Sequence, residues 1–201
     1  MSISLDDLRD CLSTARKQLG GVGEASSYLW ADGELWSGYS YTIPKEEQIR
    51  SALYKELSNR LIIETEWTLY EKGPRGQVRA CGEIDLVGFG GNGKALRGPT
   101  LLLEIKRAWH LAGWVNKPRE TAAAIKRDVI RLRDVKEMLA GVHAEPMAAV
   151  LIASFRDDGS SEPLLYVDEW ETVLDWDHLY RWEADRGKSI DINVRFDLIR
   201  V

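Results

Sequence analysis

Glu104 and Lys106 stand two residues apart at the end of the apolar run "TLLLEIKRAW", and Asp85, in "GEIDLV", precedes Glu104 by 19 residues. Side chains alternate faces along a strand, so Leu102, Glu104 and Lys106 project one way while Leu103 and Ile105 project the other. The same alternation puts Glu83 and Asp85 on one face and Ile84 and Leu86 on the opposite one. Charged groups are seldom buried without partners, so both motifs are expected to open into a cleft at one end of a sheet. Two carboxylates converging with an ammonium suit phosphodiester hydrolysis. A hard divalent cation such as Mg²⁺ takes one or two carboxylates plus waters and phosphate oxygens. It lowers the pKa of a bound water and stabilises the developing charge, and a nearby lysine orients or helps deprotonate the nucleophile.

The elements that must position these residues can be read from periodicity. Residues 5–19 place Leu5, Leu8, Leu12, Ala15 and Leu19 at helical spacing, with Asp6 and Asp7 in the first turn, which predicts a helix. The following "GGVGEASSYLWADGELWSGYSYTI", rich in glycine, serine and aromatics, reads as a loop or short hairpin in which Tyr28, Trp30, Trp36 and Tyr41 need something to pack against. Pro44 opens a second helix, "PKEEQIRSALYKELSNRL", whose apolar face is Ile49, Leu53 and Leu57. Glu46 falls near the centre of that face and Glu47 well away from it. Glu46 either complements the helix dipole or points across the sheet toward Asp85 and Glu104.

Alternation then predicts strands at "LIIETEWTLYE", "VRACGEIDLVGFG" and "TLLLEIKRAW", separated by the glycine-rich turns "KGPRGQ" and "GNGKALRGP". A long helix is expected from about Arg119 to Ala140, ending at Gly141, and "AAVLIASF" has the continuous apolar character of a central strand. "YVDEWETVLDWDHLYRWEADRG" reads as helical in part, and "SIDINVRFDLIRV" as a final strand. The sum is an α/β fold, a mixed central β-sheet flanked by helices. Residues 1–43 are read as an N-terminal helix and aromatic loop of the same domain, 44–155 as its core, and 156–201 as an acidic extension completing it.

The 201 residues carry a net charge of −5, unevenly spread: −2 over residues 1–60, +4 over 61–138 and −7 over 139–201. A positive middle between acidic ends is compatible with an interaction surface and equally with solvated faces. No apolar run approaches membrane-spanning length and the N-terminus lacks a signal-peptide pattern, so a cytoplasmic location is expected, with no membrane partner. Cys11 and Cys81 have no metal-ligand spacing and read as reduced, packed thiols. His110, His143 and His178 lie in no ligand spacing, no nucleophile elbow is present, and "GFGGNG" is followed by no helix of the kind that phosphate-binding loops require.

Asp85, Glu104 and Lys106, behind a helix bearing Glu46 or Glu47, resemble the core motif of the PD-(D/E)XK nuclease superfamily over roughly Pro44 to Phe155. Ile84 stands where the motif's proline would be, a departure shared by many members. The resemblance implies a restriction-endonuclease-like fold and Mg²⁺- or Mn²⁺-dependent hydrolysis of phosphodiester bonds in DNA. It implies metal binding by Asp85, Glu104 and the backbone carbonyl of Ile105, with Lys106 assisting the attacking water and Glu46 as the helix acid. Lys126, Arg127, Arg131 and Trp109 are candidate substrate contacts, and Lys126 or Asp128 candidate supports for the site. Trp109 and Trp114 can stack on bases or gate the cleft, but aromatic packing or an oligomer interface is the commoner use of such residues. Small size and the lack of a separate DNA-binding module imply an oligomer or a partner protein, as in restriction, phage defence or repair, with the acidic segment after residue 139 as its surface. The rival reading is a catalytically inactive protein of the same fold that serves as a protein-binding or regulatory module.

Overall fold

The computed structural model describes residues 3–29, 43–72, 78–90, 98–111, 114–115, 117–140, 145–184 and 188–201. In chain order these form α1 (Leu5–Leu29), α2 (Glu46–Leu57), β1 (Ile62–Lys72), β2 (Val78–Phe89), β3 (Pro99–Leu111), β4 (Trp114–Val115), α3 (Pro118–Leu139), β5 (Met147–Asp157), β6 (Glu171–Ala184) and β7 (Lys188–Arg200). The fold is α/β. Its mixed sheet runs β1-β2-β3-β5-β7-β6, with the two-residue β4 paired to β3. β3 and β5 are parallel, joined through α3, and the other paired strands are antiparallel.

Two apolar cores form on the two faces. Leu101, Leu103 and Ile105 of β3 pack with Ala149, Leu151, Ala153 and Phe155 of β5 beneath α1 and α2. Leu102 and Ala108 pack with Ala148, Val150 and Ile152 beneath Ile125, Leu132 and Val135 of α3. β5 is covered on both faces, as its continuous apolar sequence requires. Its partner β3 is equally central, which is why a carboxylate on it is buried.

Two sequence expectations are corrected. The first helix does not stop at residue 19 but continues through the glycines to Leu29. The glycines that suggested a loop lie where α1 meets β6: a Cβ on Gly20 would come within 2.6 Å of the Leu179 carbonyl oxygen, and one on Gly23 within 2.3 Å of the Tyr180 ring. Close approach, not a turn, explains Gly20 and Gly23, whereas a Cβ on Gly21 would meet nothing within 4 Å. Residues 171–184, expected to be partly helical, form strand β6, whose register against β7 shifts at three places between Thr172 and Tyr180. Those irregularities break the period of two and leave Val173, Leu179 and Tyr180 as the buried positions. The aromatic loop after residue 29, the Gly141 terminus and most of the two glycine-rich turns fall outside the described residues, as does the Trp114 side chain. Among the described residues, no helix is long and apolar enough to cross a membrane.

Candidate active site

The site begins where β2 and β3 stop pairing. Leu86 pairs with Leu103, Val87 with Leu102 and Gly88 with Leu101. The next residues along the two strands are Asp85 and Glu104. There the backbone partner is replaced by side chains: Asp85 Oδ2 accepts the N–H of Ile105 at 2.8 Å, and Glu46 Oε1 accepts the N–H of Arg107 at 3.1 Å. On its other edge β3 stays in register with β5 from Leu101 to His110, so the strand is held firmly while its β2-facing edge opens.

The opening coincides with an irregularity in β1. The ladder between β1 and β2 passes from Thr65↔Leu86 to Trp67↔Ile84, and the intervening Glu66 has φ +53. Ile63 and Leu86 face the core under α1 and α2, whereas Leu69 and Ile84 face the core under α3. Both strands therefore reverse faces at Glu66 and Asp85. The strict alternation expected of "GEIDLV", with Ile84 and Leu86 sharing a face, does not hold for this reason.

Glu104 is buried beneath α3, which approaches with Asp128 and Arg131 one turn apart. Arg131 Nη2 donates to Glu104 Oε1 and, at 2.8 Å, to Asp128 Oδ1. Lys106 Nζ lies 3.0 Å from Asp128 Oδ2 and 4.0 Å from Glu104 Oε2, and donates to the Ile105 carbonyl at 3.1 Å. From α2, Arg50 reaches Asp85 at 3.3 Å and Glu66 at 2.8 Å. Asp85, Glu104, Lys106 and the Ile105 carbonyl are thus brought to one recess, with Glu46 at its rim; Glu47 is exposed on the outer side of α2.

Burial dominates the protonation equilibria here. It pushes the Glu104 carboxyl up to about 8, against the pull of Arg131 and with the help of the nearby Asp85 and Asp128. It also raises Glu46, opposed by Lys106 and the Arg107 N–H. Burial alone would lower the Lys106 ammonium, but Asp128, Glu46 and Glu104 together outweigh it and the net shift is upward. A charged lysine beside raised carboxyls is the result.

The other expected contacts separate. Lys126 and Arg127 are exposed on α3, and it is Asp128, not Lys126, that reaches Lys106. Arg131 is occupied by two carboxylates of the site. Trp109 packs against the core under α1 and α2, on the Ile105 side of β3, with the Arg107 guanidinium 4.8 Å from its ring centre. Arg50 and Glu66 were not legible as site residues. Arg50 had one usable signal, its position four residues after Glu46, which on a helix puts both on one face. Nothing in the local sequence announces the left-handed backbone at Glu66.

No protein-family model, curated protein or solved structure matches the chain.

Proposed function

We propose that the protein is a metal-dependent nuclease of the restriction-endonuclease-like, PD-(D/E)XK kind, cleaving phosphodiester bonds of DNA. The observation that carries this reading is the opening between β2 and β3, with Asp85 and Glu104 as the next residues beyond the last pair and Lys106 over the Ile105 carbonyl. Asp85, Glu104 and that carbonyl offer only oxygen donors, the donor chemistry of Mg²⁺ or Mn²⁺. Among the described residues no group of three or more His, Cys, Asp or Glu side chains is arranged for a metal ion. Two carboxylates suffice for Mg²⁺, which keeps several waters and takes substrate oxygens.

Such an ion would supply Lewis-acid charge and an acidified water. The chain's own groups do the rest. Asp85 and Glu104 set the ion's place, and Asp128 holds Lys106 by its ammonium beside that place. From there Lys106 orients the attacking water and carries charge next to the phosphate. Glu46 fixes the β3 edge through the Arg107 N–H. The nuclease acts as an oligomer or with a partner protein, for which the acidic segment 139–201 is the candidate surface.

The test is Mn²⁺ titration together with cleavage of linear DNA by the wild type and Asp85→Ala. Metal-dependent cleavage by the wild type, lost with metal binding in a variant that keeps its thermal unfolding transition, supports the reading. A wild type that binds no divalent cation contradicts it and favours the binding-module alternative.

A further inference from the structure

Each carboxylate assigned to the metal is held by an arginine, and each arginine also holds a second carboxylate. On the α2 side Arg50 spans Asp85 and Glu66, at 3.3 and 2.8 Å. On the α3 side Arg131 Nη2 spans Glu104 and Asp128. The two helices pack on opposite faces of the sheet, so the arrangement is repeated from independent elements.

Both halves show local adaptation. Glu66 sits at φ +53, a left-handed conformation costly for a residue with a side chain, and its carboxylate is the one that meets Arg50. Opposite Arg131 on β2 stands Gly82, at φ +148, where a Cβ would lie 3.3 Å from Arg131 Nη1 and 3.4 Å from its Cδ. A residue without a side chain lets the guanidinium lie against β2 on its way to Glu104.

We infer that Arg50 and Arg131 are positioning residues for the metal ligands, exchangeable counter-cations that hold Asp85 and Glu104 until a divalent ion takes them and then withdraw onto Glu66 and Asp128. This rests on the nuclease reading. A guanidinium on a carboxylate oxygen competes with a cation for the same lone pairs, so the two arginines weaken metal binding while keeping the carboxylates in place. Glu66 and Asp128 give each arginine a charged partner to retain, so that exchange leaves no guanidinium unpaired in a partly buried setting.

The experiment is calorimetric titration of the full chain with Mn²⁺ at fixed salt and at one pH high enough for Glu104 to be ionised in every protein compared. It compares the wild type with Arg50→Gln, Arg131→Gln, Arg131→Lys and, as a control for net charge, Arg133→Gln on the exposed side of α3. Both site glutamine variants are expected to bind Mn²⁺ about tenfold more tightly, the usual scale for removing a charge in contact with a carboxylate. Arg131→Lys, which keeps the charge but not the fork, should fall between, and Arg133→Gln should match the wild type. Arg50→Gln alters the pair with the more exposed carboxylate and carries the test if Arg131→Gln fails to fold. Unchanged or weaker binding in the site variants overturns the role of the arginines and leaves the nuclease reading intact. An equal gain in Arg133→Gln also overturns it, by reducing the effect to net charge. No Mn²⁺ binding by any protein overturns both.

Discussion

Two clusters of charge are wholly or partly buried at the sheet, and they differ in how the backbone around them is paired. In the first, around Glu104, carboxylates take the place of backbone partners along β3, and an ammonium sits on a strand carbonyl. In the second, on β7, the ladder with β5 is continuous: Arg195 pairs with Ser154 and Asp197 with Ile152. There Arg195 meets Asp197 at 2.9 Å and Glu162 at 3.1 Å, Thr172 donates to Asp197 at 2.8 Å, and Arg195 lies 5.0 Å from the centre of the Trp176 ring. The second cluster closes on itself and fastens the segment around Glu162 across the sheet. Burial of charge is common to both; what separates them is that the Glu104 cluster lies at a break in the β2–β3 ladder, where side chains replace the backbone partners, and the β7 cluster does not.

The contrast can be broken most strongly at Lys106. Lys106→Ala should lower cleavage by about 10²- to 10⁴-fold, the usual scale for losing a positioned proton-transfer or charge-stabilising group, while chemical denaturation shows a protein still folded. Asp197→Ala should do the reverse. Removing one partner of a buried pair is expected to cost about 3 kcal/mol in urea unfolding, with metal affinity at Asp85 and Glu104 unchanged.

A pH series sharpens the comparison from the side of Glu104. Its carboxyl is raised from 4.5 to about 8 in the folded chain. Between those values the native state holds a proton that the unfolded state has released, so stability of the metal-free protein falls as pH rises from about 5 to 8. Glu104→Gln should remove this part of the slope, as measured by the difference between the two proteins' melting temperatures across the series. The smallest effect expected is at Gly23. Gly23→Ala places a methyl against the Tyr180 ring and should cost about 1 to 3 kcal/mol through overpacking, with no change in cleavage once the protein is folded.

What the sequence made legible follows physical range. Glu104 and Lys106 share a face because alternation is a property of one strand, and β3 is regular enough to obey it. The inner face of α2 was equally readable, and Glu46 does turn toward β3 while Glu47 faces out. Asp85 accepts the Ile105 N–H next to Glu104, but its strand reverses faces there, opposite a left-handed residue on the neighbouring strand that no local pattern reveals. The extension of α1 was hidden because glycine carries the same letters at a turn and at a close approach. β6 was hidden because register shifts disguise its period. The arginines and Asp128 come from separate helices, and only the packed structure shows which carboxylate each one meets.

The measurement that tests the central claim most directly is cleavage of linear, circular and single-stranded DNA, and of RNA, with Mg²⁺ or Mn²⁺ against EDTA, using the wild type and Lys106→Ala. The account predicts cleavage of DNA that requires the metal and disappears in the variant. Cleavage that persists in EDTA or survives Lys106→Ala unchanged would contradict it.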